Sequence, residues 1–206
     1  YGVVDFYKAC KEAGIKPIIG CEVYVAPRGR TRFQKVHEFD SSFHHLVLLC
    51  RNEEGYRNLS YMVSQAFLEG FYIKPRIDLD LLREHCGGLI ACSARLGGEV
   101  PKLLAAGDYD KAKEVALEMR ELFGADGYYL ELQDHGIPVQ RQVNGGLIRL
   151  HEETGIPLVA TNDAHYLRKE DAEMQDILMC IQMGKTVDDP NRMKFETEEF
   201  YVKTEA

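Results

Sequence analysis

Residues 154–165 read Thr-Gly-Ile-Pro-Leu-Val-Ala-Thr-Asn-Asp-Ala-His, and this stretch decides the fold. Gly155 stops a helix that carries Leu147, Ile148 and Leu150, because glycine takes the left-handed conformation that closes a helix at no steric cost. Leu158 to Thr161 then reads as a short apolar strand, and the strand runs out into Asn162, Asp163 and His165. The same grammar stands at residues 13–22, AGIKPIIGCE. There, Val3, Phe6, Tyr7 and Cys10 recur at helical spacing over residues 2–13, Gly14 ends the helix, and residues 18–25 form a strand holding Glu22.

Working outward, further strands are expected over residues 45–50, 89–93 and 128–133. Between them lie helices over 53–68, 108–123 and 171–183. The first presents Tyr56, Leu59, Val63 and Phe67 as its apolar stripe, the second Ala112, Val115, Ala116, Met119 and Phe123. Strands alternating with helices of this length predict an α/β fold with a parallel sheet or barrel. The strands are nearly continuous in apolar character, as strands covered on both faces are. Residues 194–203 read as a surface strand or hairpin.

In such architectures ligands gather at the carboxyl ends of strands. Asp163 and His165 stand there, two apart, so their side chains point the same way. They are either a metal-binding pair for zinc or manganese or a capping aspartate beside an ordinary surface histidine. Glu22 interrupts an apolar strand, so it either faces solvent or meets a cation. His44 and His45 precede an apolar run, and alternation turns one inward and the other away. His135, in Gln133-Asp-His-Gly136, also follows a strand and imitates the Asp163/His165 pair. His37, His85 and His151 sit on polar stretches without a functional pattern. Gly97-Gly98 before Glu99 marks a turn and a helix start.

Composition narrows the class. The 206 residues are 45% apolar and 28% charged, with net charge −8. That balance repels a phosphate backbone, whose binding rests on neutralisation by Lys and Arg. The basic run Arg28-Gly-Arg-Thr-Arg32 with Lys35 reads as a solvated loop rather than a DNA contact. No apolar run reaches the roughly eighteen residues of a membrane span. The six cysteines form no Cys-x-x-Cys pair and no disulfide framework, which points to a reducing, cytoplasmic setting. There is no phosphate-cradling glycine loop and no Gly-x-Ser-x-Gly elbow. The first residue is Tyr1 without a signal segment, so the chain is expected to begin inside a longer protein.

In order, AGIKPIIGCEVYVAP, HHLVLLCRNEEGYRNL, GLIACSARLGGEVP, YYLELQDHG and GIPLVATNDAHYLRKEDAEMQDILMCIQMGKTVDDPNRMKF resemble the amino-terminal PHP domain of the bacterial DNA polymerase III alpha subunit. The resemblance covers nearly the whole chain. It implies an incomplete, distorted (β/α)7 barrel over residues 1–190, lacking its first strands. Residues 191–206 would then be a surface hairpin or the start of a linker to the polymerase core. It implies a divalent-metal site at the strand ends, zinc or manganese. In some members that site is a metal-dependent phosphoesterase with 3′–5′ exonuclease activity. In others it has lost ligands, and the domain supports the polymerase core or docks the proofreading exonuclease subunit. Glu22, His45, Asp163 and His165 match metal ligands of the family, and His135 matches a segment that is not a ligand.

Two departures stand out. The family's opening His-x-His strand and its Thr-Asp-His-Gly strand are missing, which puts four ligands outside this chain. Arg95 stands where a cysteine ligand is usual. Either Cys92 substitutes for it, or Arg95 reaches Asp163 or Glu22 and replaces the metal charge by a salt bridge. The expected partners are the remainder of the alpha subunit, the proofreading subunit, and DNA through the full-length protein, with no membrane. The fragment alone is expected to hydrolyse no nucleotide, and an unpaired sheet edge invites dimerisation. The alternative is a stand-alone PHP phosphatase of a small phosphorylated metabolite such as histidinol phosphate.

Overall fold

Helices start where a polar cap meets an apolar run. Asn52 accepts from the Gly55 N–H (3.0 Å) and opens α3, Glu53–Leu68. Asp78 and Asp108 do the same for α4, Leu79–His85, and α6, Tyr109–Phe123; each side-chain oxygen satisfies an N–H that the helix cannot. The computed structural model describes residues 2–204. Its remaining α-helices are α1 (Val3–Glu12), the four-residue α2 (His37–Asp40), α5 (Glu99–Ala105), α7 (Pro138–Thr154) and α8 (Ala172–Met183). The strands are β1 (Gly20–Val25), β2 (His44–Cys50), β3 (Phe71–Tyr72), β4 (Lys74–Ile77), β5 (Leu89–Cys92), β6 (Tyr128–Leu132) and β7 (Leu158–Ala160). They form one sheet in the order β3-β4-β1-β2-β5-β6-β7, an open α/β arrangement of the partial-barrel kind.

The alternation of elements predicted a parallel sheet, but the sheet is mixed. β2 runs antiparallel to both β1 and β5, while β1–β4, β5–β6 and β6–β7 are parallel. The reason lies in the connection. A parallel return needs a crossover long enough to travel back along the sheet, and between β1 and β2 the only helix is α2, with four residues. The chain therefore turns at the carboxyl end of β1, and β2 starts there. Tyr24 pairs with His45 and Val25 with His44. The first residues of β2 thus share one pole with the last residues of β1, β5, β6 and β7.

The core lies between the sheet and its helices, with Leu48, Met62, Ile77, Leu82, Ala91, Leu130, Leu147 and Leu150 fully enclosed. The α6 stripe is buried as predicted at Ala112, Val115, Ala116 and Met119. On α3 the buried face is Gly55, Leu59, Met62 and Ala66, and Tyr56 and Phe67 of the predicted stripe stay exposed. The rotation follows from a backbone contact. A Cβ on Gly55 would lie 1.9 Å from the Gly88 carbonyl oxygen, so this face alone can approach β5. Helix α1 buries none of its residues.

The basic run is neither a solvated loop nor a row of free cations. Arg28 pairs with Glu99 and Glu118 (both 2.5 Å), and Arg30 forks onto the buried Asp40 through two 2.7 Å bonds. Arg32 reaches Glu69 (3.0 Å) and Asp78 (3.2 Å). Beneath them, fully buried Arg76 donates to the carbonyls of Asp40 and Gln34. The run is a strap that ties the β1–β2 connection to α3, α4, α5 and α6. Residues 194–203 form no hairpin; their one bridge joins Tyr201 to Tyr166, and Phe200 is buried rather than on the surface, because its ring stacks on His135.

Candidate functional site

The pole shared by the strand ends gathers the acids and imidazoles. From β1, Glu22 accepts from His45 Nδ1 of β2 at 2.6 Å. Burial raises the Glu22 carboxyl, but the His45 hydrogen bond and the charges of His45, Arg95 and His165 outweigh it and hold it below its usual value. The His45 ring is edge-on to Tyr24 (5.1 Å) and tilted against Phe43 (5.9 Å). The His45 backbone N–H donates to the Gly97 carbonyl at 3.0 Å. Neighbouring His44, on the opposite face of the strand by alternation, lines a cavity together with Glu99 and Tyr128. Burial, with the charges of Lys102, Arg28 and His45, lowers its imidazole to about 4.

Arg95 is delivered by a tight turn after β5, closed by Gly98 N–H to the Arg95 carbonyl (2.7 Å). Two glycines make that turn possible. A Cβ on Gly98 would stand 2.0 Å from the Ser93 carbonyl oxygen, and one on Gly97 2.9 Å from the His45 ring. From this turn Arg95 Nη1 lies 3.4 Å from Asp163 Oδ2, and Nε lies 3.7 Å from Glu22 Oε2. One guanidinium therefore spans the two carboxylates. His165 Nδ1 donates to the Asp163 carbonyl at 2.7 Å.

The four residues singled out as metal ligands, Glu22, His45, Asp163 and His165, thus come to one pole. Yet among the described residues no three His, Cys, Asp or Glu side chains converge closely enough to hold a metal ion. The donor types suit a divalent cation, but the charge between the carboxylates is already supplied by Arg95, and a guanidinium offers donors and no lone pair. As arranged, these residues do not fit a bound metal. Cys92 is buried, and burial together with Glu131 pushes its thiol up to about 12. It is not a ready thiolate ligand.

His135 is 1% exposed, and both ring nitrogens are engaged. Nε2 donates to the Asn162 carbonyl (2.7 Å), and Nδ1 accepts from Gln140 Nε2 (2.9 Å). It has no lone pair to spare. Glu131 went unmarked in the sequence although it interrupts an apolar strand just as Glu22 does. Buried on β6, it hydrogen-bonds Thr161 and Gln133 through Oε1, while its Oε2 finds no partner. Burial raises its carboxyl, and Asp163 adds to the rise against the hydrogen bonds.

A family model described as the PHP domain matches residues 1–135. The chain is similar to the DNA polymerase III subunit alpha of Treponema pallidum, 48% identical over 204 residues, which is 99% of this chain and 17% of that protein. The corresponding subunit of Borreliella burgdorferi is 46% identical over 205 residues, covering 100% of this chain and 18% of that one. That of Thermus aquaticus is 46% identical over 204 residues, with 99% and 17% covered. This chain thus spans about a sixth of the length of the curated relatives it matches.

Proposed function

Because this chain belongs to the PHP domain family, we propose that it serves as the PHP domain of a replicative DNA polymerase alpha subunit, and that its strand-end cluster is a degenerate phosphoesterase site closed by Arg95. In this reading the domain supports the polymerase core in the cytoplasm or docks the proofreading exonuclease subunit. DNA synthesis, a nucleotidyl transfer, belongs to the rest of the protein. Glu22, His45, Asp163 and His165 are the remnant of a metal-dependent 3′–5′ exonuclease centre for zinc or manganese.

The observation that carries this reading is the Arg95 guanidinium, within 3.4 Å of Asp163 and 3.7 Å of Glu22. It neutralises the two carboxylates as a cation would, and its own charge opposes entry of another. The chain's own residues then do fixed work: His45 holds Glu22, and His165 holds the backbone at Asp163.

The test is the metal content of the full-length protein after dialysis, measured for the wild type and for Arg95→Cys, alongside release of nucleotides from a DNA 3′ end. The wild type is expected to hold well under one equivalent of zinc or manganese at this site and to release none. Arg95→Cys is expected to gain metal. Stoichiometric metal in the wild type that disappears in Asp163→Ala, with exonuclease activity lost in parallel, overturns the proposal.

A further inference from the structure

Asp163 has a φ of 44°, a left-handed conformation that costs a non-glycine residue and persists only where its surroundings over-determine it. The hydrogen bonds around it show what does so. On the residue before, the Asn162 carbonyl accepts from His135 Nε2 at 2.7 Å. On the residue itself, the carbonyl accepts from His165 Nδ1. Two residues on, the His165 N–H donates to the Phe200 carbonyl at 2.8 Å.

The two outer contacts lead to one place. The rings of His135 and Phe200 stack at 4.1 Å and 10°. Phe200 is 6% exposed, stacks on Phe195 (4.5 Å) and meets the edge of His165 (5.6 Å). Thr197 Oγ1 donates to the His135 carbonyl at 2.6 Å. Gln140 reads both ends of His135: its Oε1 accepts from the His135 N–H (2.8 Å), and its amide donates to Nδ1. This fixes the tautomer in which Nε2 carries the proton toward Asn162. None of these residues is needed to pair with Arg95 directly.

We propose that His135 and Phe200 are positioning residues: their stack clamps the 162–165 backbone in its left-handed bend and so holds Asp163 opposite Arg95. The tail from Lys194 to Lys203 is on this account a working part of the site. The inference stands apart from the degenerate-site reading, since it concerns the bend at Asp163 whatever charge Asp163 faces.

The test is hydrogen–deuterium exchange by mass spectrometry on the full chain, comparing wild type, Phe200→Leu, Phe200→Tyr and Thr197→Val. Phe200→Leu keeps an apolar side chain but removes the ring stack. It is expected to speed exchange in residues 161–168 by roughly three- to tenfold, the worth of one aromatic pair, while peptides from β5 and β6 stay at wild-type rates. Phe200→Tyr is expected to restore protection, and Thr197→Val to show a smaller rise confined to the same peptides. Unchanged exchange over 161–168 in Phe200→Leu refutes the clamp. So does an equal rise in the β5 and β6 peptides, which marks Phe200 as mere core filling.

Discussion

Substituting Gly97 by alanine probes the site through a single methyl group. Gly97 needs no positive φ, so the backbone tolerates alanine and the effect is one of space. The new Cβ would stand 2.9 Å from Cδ2, 3.0 Å from Cγ and 3.2 Å from Nε2 of His45. Ordinary contact begins near 3.4 Å, so the ring must give by about half an ångström. It has little room, being held by Glu22 at 2.6 Å and flanked by Tyr24 and Phe43. Overpacking of this kind costs about 1–3 kcal/mol, and stretching a charge-assisted hydrogen bond falls in the same range. Urea unfolding should therefore show Gly97→Ala about 1–3 kcal/mol less stable, at unchanged m-value. In a His45→Ala background the methyl meets empty space, and the same substitution should cost under about 0.5 kcal/mol. Equal costs in the two backgrounds would refute the claim that Gly97 acts through the His45 ring.

Three further outcomes are expected. A double-mutant cycle of Arg95→Met and Asp163→Asn should give a coupling of about 1 kcal/mol, since a gross attraction of roughly 4–5 kcal/mol at these distances is cut by the exposure of both groups; additivity within error in urea titrations would sink the ion pair as an energetic contact. His44 is kept neutral by burial, with a folded value about 4 against 6.5 unfolded, so the unfolded chain binds the extra proton between these values and stability falls as pH drops through that window. With its partial exposure the loss is about 1 kcal/mol, and melting curves at pH 7 and 5 should show it in wild type and not in His44→Gln. Glu131 has its carboxyl raised by burial, so the folded state disfavours the charge and loses stability as pH rises past the unfolded value of 4.5; Glu131→Gln should raise Tm at pH 7 and leave it unchanged near pH 4, and a lower Tm at pH 7 would show that the ionised form is needed.

How much of this was legible in the sequence depends on the range of the forces involved. The helix-stop, strand and acid grammar at residues 154–163 and 13–22 is local, and it placed β1, β7, Glu22 and Asp163 correctly. The α6 stripe was legible for the same reason. The reversal of β2 turned on what its connection lacks, a crossover helix, and apolar runs carry no direction. The α3 face was set by the approach of Gly55 to Gly88, 33 residues away, which periodicity does not register. Arg28 meets Glu99 across 71 residues, so charge spacing alone left the strap looking like a loop. Phe200 read as surface because the ring that covers it, His135, lies 65 positions earlier. Glu131 carried the same signal as Glu22, an acid breaking an apolar strand, and was findable by that rule.

The backward course of β2 has a consequence for how such a molecule diversifies. Both anchors of the Ala26–Phe43 segment open onto the pole where Glu22 and Arg95 meet, so changes at its positions outside the Arg28–Arg32 strap and the buried Asp40 bear on the rim around that opening. The segment after Cys50 emerges at the far pole, and variation there is silent for the opening. The reversal of β2 thus brings both ends of one connecting segment to the entrance.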